Sequence, residues 1–228
     1  MKQGFTLAEV LITLGIIGVV AALTLPSIVA HQRKVEYSSR LKKFYSMMEQ
    51  AIRMSEEDNG EILSWTRSGG TQMDDEGKTD FDANGKVSKD FFSTYFLPYF
   101  KYTKFEDGKN VILEDGAKSG QNPKVYLPDG STISLWNGGC TDIIYDVNGD
   151  SMPNEKGRDR YVFLFCFNSI YRTNFCGNAD KAFCSYGQNI TSRDRAFDLC
   201  KNEVYHNYCS RLLQFDEWEF KKDYPHRL

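Results

Sequence analysis

Histidine is scarce in this chain of 228 residues: His31, His206 and His226 are all it has. The commonest catalytic and nucleotide-binding signatures, GxSxG, HExxH, GxxxxGK(S/T) and GxGxxG, do not occur, so nothing points to a hydrolase, metalloprotease or nucleotide-binding enzyme. Excess positive charge is missing too. With 28 Lys and Arg against 31 Asp and Glu the formal net charge is -3, which gives no general case for binding nucleic acid. No cysteine precedes Cys140, and no CxxC pair follows it. Between Val10 and Ala30 there is no charged residue at all.

That last absence organises the rest. About twenty apolar residues at ~1.5 Å rise each cross a hydrocarbon layer of ~30 Å as a helix. A conventional signal peptide, cut near Val20-Ala21-Ala22, is the competing explanation. Three features oppose it: only four residues precede Phe5, Glu9 interrupts the apolar segment, and the run continues past the cut into a helical pattern.

Gly4-Phe5-Thr6-Leu7-Ala8-Glu9, the apolar run and Pro26 resemble the start of the type IV pilin superfamily, which comprises type IV pilins, type II secretion pseudopilins and competence pseudopilins. The resemblance implies that a prepilin peptidase on the cytoplasmic face cuts between Gly4 and Phe5 and methylates Phe5. It also gives Glu9 a role. An ionisable group inside a membrane helix is expensive unless paired, and the implied partner is the amino terminus of a neighbouring subunit's Phe5. Pro26 is expected to kink or locally melt the helix, and Gly15 and Gly18 to weaken it and admit close neighbours. Charge runs against simple topology, since Lys2 stands before the apolar run while Arg33, Lys34, Arg40, Lys42 and Lys43 follow it. The resemblance and the six cysteines nonetheless place the N-terminus in the cytoplasm and the remainder outside.

Beyond Pro26, Leu41, Phe44, Met48, Ala51 and Ile52 recur at helical spacing, giving one buried face until Asn59-Gly60 stops the helix. Residues 5–58 thus form one helix of roughly 80 Å. Residues 60–88 read as a connection pinned by Trp65, and residues 89–97 as a short aromatic helix broken at Pro98. Strand patterns follow at 125–127, 132–136, 142–145 and 161–167, the first two flanking Pro128-Asp129-Gly130. Residues 210–220 suit a short helix. The expected class is α+β: a pilin-like fold with a long N-terminal helix, membrane-spanning in its first half, packed on a small antiparallel sheet, plus a cysteine-rich C-terminal extension. The expected divisions are 1–4 leader, 5–30 transmembrane and assembly helix, 31–59 amphipathic continuation, 60–170 globular domain and 171–228 cysteine-rich region.

Cys140, Cys166, Cys176, Cys184, Cys200 and Cys209 suggest disulfides in an exported domain, with 15 pairings open. A zinc cluster of Cys200, His206 and Cys209, or a nucleophile pair of Cys200 and His206, competes with that. Asp146, Asn148, Asp150 and Asn154 fall at positions 1, 3, 5 and 9 of a calcium-type loop, with the Met152 carbonyl at 7 and Asp159 beyond. Ser151 and Gly157 break the EF-hand pattern, though the stretch also looks like a loop common in pilin-like proteins. A hairpin of Asx-turns with Gly149 and Gly157 at positive φ explains the same residues.

The resulting expectation is a structural, non-enzymatic subunit, a minor pilin or pseudopilin of a type IV pilus or type II secretion-type filament. It would be anchored by a single pass in the bacterial inner membrane with its C-terminal domain exported, and would join an extracellular or periplasmic filament. Its partners would be the prepilin peptidase, other pilin or pseudopilin subunits, the inner-membrane assembly platform and the lipid bilayer; calcium is the one expected cofactor, and no nucleic acid is expected. The alternative is an adhesin or ligand-binding module displayed on a pilin-type N-terminus.

Overall fold

The computed structural model describes residues 6–67, 70–112, 118–202, 204 and 206–228. Helix α1 spans Leu7–Asn59, 53 residues, and is capped by Thr6, whose side chain accepts from the Glu9 amide while Glu9 reaches back to the Thr6 amide. This reciprocal pairing satisfies two of the donors that a helix start leaves open. Of the two expected effects of Pro26, local melting does not occur: the backbone stays helical on both sides of it. The ring removes a single donor, and the hydroxyls of Thr24 and Ser27 fold onto the Val20 and Thr24 carbonyls in the same turn. Gly60, at φ 77°, ends the helix.

Six antiparallel strands follow in chain order without a crossover: β1 Lys104–Ile112, β2 Lys118–Tyr126, β3 Thr132–Asn137, β4 Thr141–Asp146, β5 Arg160–Phe165 and β6 Phe183–Ser185. A pleated strand points alternate residues to opposite faces. Accordingly Phe163 and Phe165 join the core beneath α1, whereas Leu164 and Cys166 face the other way, among Cys140, Cys176 and Cys184. On the helix side, Phe44 stacks on Tyr145 at 4.1 Å between ring centres and packs on Phe163 at 5.0 Å. Tyr37, Leu41, Phe44, Met48, Ala51, Ile52 and Ser55 are the buried positions of α1, the stripe expected from spacing.

Helix α2, Phe81–Tyr95, begins eight residues before the expected start at residue 89, because the Asp80 side chain accepts from the Ala83 amide and opens the helix there. The expected irregular connection therefore ends at residue 80. Trp65 does pin it, stacking on Tyr95 at 4.5 Å with its indole N–H on the Gly60 carbonyl. The C-terminal part contributes β6, α3 Arg193–Lys201 and α4 Cys209–Phe215. Helix α4 ends five residues short of the expected 220. Ala196 and Cys200 of α3 and Cys209, Leu212 and Leu213 of α4 belong to the same core as α1. Arg193 clamps the tail through paired bonds to Asp216 and Asp223.

Candidate functional site

The first candidate is α1 itself. Every large apolar residue from Leu7 to Val29 named along it is exposed, including Leu11, Ile16, Val19 and Leu25, and this is a helix long and apolar enough to cross a membrane. Gly4 and Phe5, the expected cleavage and methylation residues, lie outside the described residues. Glu9 is described: its carboxylate accepts from the Thr6 amide at 2.8 Å and the Thr6 hydroxyl at 2.7 Å. A carboxylate held at a helix N-terminus interacts favourably with the helix dipole. A Cβ placed on Gly15 or Gly18 would meet nothing within 4 Å, so no packing within the subunit calls for glycine there.

The second candidate is the loop between β4 and β5. The structure divides its five oxygen-bearing residues. Arg160 donates to Asp146 Oδ2 at 2.8 Å and to Asn154 Oδ1 at 3.0 Å, tying those two together. Asp159 accepts from the Asn154 and Glu155 amides at 2.9 and 2.7 Å. Asp150 turns away to Lys124 and Tyr126 on β2, and Asn148 donates to the Met152 carbonyl at 3.3 Å. Asp146 Oδ1 and Asn148 Oδ1 are buried with no hydrogen-bond partner among the described residues. Burial pushes the Asp146 carboxyl up to about 6 despite the Arg160 guanidinium beside it. Gly149 sits at φ 69°, and a Cβ there would come within 2.3 Å of the Gly130 carbonyl oxygen, so only glycine allows the two turns to meet.

The cysteines form three disulfides, Cys140–Cys166, Cys176–Cys184 and Cys200–Cys209. The first two lie on the sheet face away from α1. The third joins α3 to the start of α4, and its sulfurs are bonded to each other, not held as a nucleophile. His226, not the expected His206, lies with this pair: its ring nitrogen and the two sulfurs fall within 4.8 Å of one another. His206 packs against His226 at 4.6 Å between ring centres.

A fourth region escaped the sequence. Arg40 ties α1 to the Asp129 and Val147 carbonyls at the end of the sheet nearer the apolar half. At the opposite end Arg67 bonds Asn137 and the Gly138 carbonyl, and lies over the Phe167 ring at 4.4 Å. Desolvation lowers the Arg67 pKa to about 10. Beside it Leu63 and Tyr171 are exposed, and the exposed Phe175 ring packs on Tyr171. Scattered over more than a hundred residues, they share no local pattern that would reveal them.

Residues 1–25 match the prokaryotic N-terminal methylation motif, so the chain begins with a prepilin-type segment of the type IV pilin kind. The rest, residues 27–228, matches a family of unknown function (DUF6613), and the chain belongs to that family. No curated protein and no solved structure matches it.

Proposed function

We propose that this chain is a minor subunit of a type IV pilus or type II secretion-type filament, cut between Gly4 and Phe5 by prepilin peptidase and assembled through α1. The observation that carries the proposal is the contrast within α1. Its first half carries the methylation motif and buries nothing in the subunit, while its second half is packed into the body. Lipid covers such a surface in a membrane-anchored precursor, and neighbouring helices cover it in a filament. On this reading the subunit is structural and performs no catalysis. Glu9, already turned to its own helix start, meets a neighbour's Phe5 amine there, and that pairing neutralises both charges where water is absent. The body stands on the exported side, where its disulfides persist.

Intact mass and N-terminal sequencing of the protein from native membranes tests the processing. Loss of residues 1–4 with a methyl group on Phe5 is expected; a start at Leu23 would mean a conventional secreted protein. Glu9→Ala should insert normally yet fail to enter filaments, and normal incorporation of that variant would remove its pairing role.

A displayed binding module is the second reading. It is favoured by the exposed Leu63 and Tyr171 beside Arg67, with Phe175 packed on Tyr171, at the end of the sheet opposite to Arg40. Binding of host or bacterial surface material that is lost in Tyr171→Ala, with assembly unchanged, would support it.

A further inference from the structure

One of the chain's three histidines, His226, meets one of its three cysteine pairs, and a second, His206, packs on His226 from a separate part of the fold. Cys200 is near the end of α3, Cys209 opens α4, His206 lies in the turn between them and His226 comes from the C-terminal tail. Both cysteines are fully buried; the half-buried His226 ring lies beside them and the half-buried His206 ring packs on it. His226 Nε2 is 2.8 Å from the Cys200 carbonyl oxygen, while His206 Nε2 is buried with no hydrogen-bond partner among the described residues. The β4–β5 loop passes over this group at Gly157, φ 82°. A Cβ there would approach Cys209 Sγ to 2.8 Å and His226 Cδ2 to 2.7 Å, so the loop comes this close only as bare backbone.

We propose that, in its dithiol form, the chain binds one Zn²⁺ through Cys200, Cys209, His206 and His226. Tetrahedral zinc has bonds of roughly 2.3 Å to sulfur and 2.0–2.1 Å to nitrogen, which sets neighbouring ligand atoms about 3.3–3.8 Å apart. Reduction breaks the bond between the two sulfurs and lets them part to that spacing, the His226 nitrogen already lies within 4.8 Å of both, and His206, packed on His226, would have to turn its unpartnered nitrogen toward the metal. Zinc and the disulfide are alternative states of one site. A disulfide oxidant takes two electrons from the zinc-bound dithiolate, the Cys200–Cys209 bond forms, Zn²⁺ leaves, and the oxidant departs as two thiols after taking up two protons. Before oxidation the metal would join α3, α4 and the tail, whereas afterwards the disulfide joins α3 and α4 alone. The inference is independent of the filament reading, since it concerns only the body.

The test uses the full chain in detergent, kept reduced by a dithiol, loaded with Zn²⁺ or with Co²⁺ as a visible probe, and desalted before metal and protein are quantified. One metal per chain is expected, with a cobalt spectrum of tetrahedral thiolate coordination and no retention after oxidation. His206→Gln and His226→Gln keep all six sulfurs, so they separate this site from loose thiols at the other two pairs. Each should weaken zinc by more than the ~10–100-fold typical of losing an outer-shell partner. A reduced chain that retains no metal, an oxidised chain that retains it equally, or unchanged affinity in both histidine variants overturns the proposal. Cys200→Ser with Cys209→Ser should abolish retention; if that variant does not fold, the histidine variants still decide.

Discussion

The two halves of α1 share one unbroken backbone and differ only in how side chains are distributed around it. From Tyr37 to Ser55 the buried positions recur every three or four residues and the helix has a single inward face. Before Ala30 apolar residues lie on every side and none is buried. A stripe specifies a partner within the chain, because only one orientation hides it. A uniformly apolar surface specifies none, and its cover must come from lipid or from other subunits. Periodicity, more than hydrophobicity, therefore decides which part of a helix belongs to its own fold.

The largest test of that contrast compares two truncations on one helix. Phe44→Ala removes a fully buried ring stacked on Tyr145 and should cost the body ~3–5 kcal/mol. Ile16→Ala, on the exposed half, should change the melt of the body by less than ~0.5 kcal/mol. Equal losses in detergent would show the two halves to be coupled. The body's far face offers a smaller effect: Cys140→Ser with Cys166→Ser opens a 26-residue separation and should cost ~2–4 kcal/mol, read as a lower denaturant midpoint.

Titration draws the next distinction. Burial raises the Asp142 carboxyl to about 7, with Lys156 acting in the opposite direction. Its folded pKa lies above the unfolded value of ~3.9, so the folded state holds a proton that the unfolded chain has released. That contribution to stability is complete below about pH 4 and is lost as pH rises towards 7. Asp142→Asn should be more stable than the parent at pH 7.5, by on the order of 1–3 kcal/mol, and nearly equal to it at pH 4. Parallel melting curves at both pH values would contradict this.

The smallest expected change comes from chelation. Arg160 already brings positive charge to Asp146 and Asn154, whereas Asp146 Oδ1 and Asn148 Oδ1 remain open. With Arg160 as the resident cation, EDTA should move the melt by less than ~1 °C, under ~0.5 kcal/mol for a chain of this size. A fall of several degrees would give those two oxygens to calcium.

What was legible in the sequence follows the same rule. The apolar run, the stripe and the strands around 132–136, 142–145 and 161–165 are visible because their side chains alternate against a core. Helix α3 was missed because RDRAFDLCK buries only Ala196 and Cys200, although Ser192 caps it at Arg195. The start of α2 was hidden by Asn84-Gly85, which reads as a turn; the Asp80 cap was the contrary signal. Strand β6 is three residues long and is defined by its pairing with β5, which no local pattern records. The pairing of the cysteines and the meeting of His206 with His226 are likewise tertiary facts. Only Gly149 and Gly157, at φ 69° and 82°, showed in advance where the loop turns.

The strand order bears on how this molecule comes into being. Each strand from β2 to β6 hydrogen-bonds to the one synthesised just before it, and α1, against which the sheet packs, is made before all of them. A chain growing from its N-terminus can thus add strands one at a time to an edge already in place, each pairing with its immediate predecessor. Helices α3 and α4 and the tail, like the strands on α1, return to what was laid down earlier, and there Asp216 and Asp223 receive Arg193.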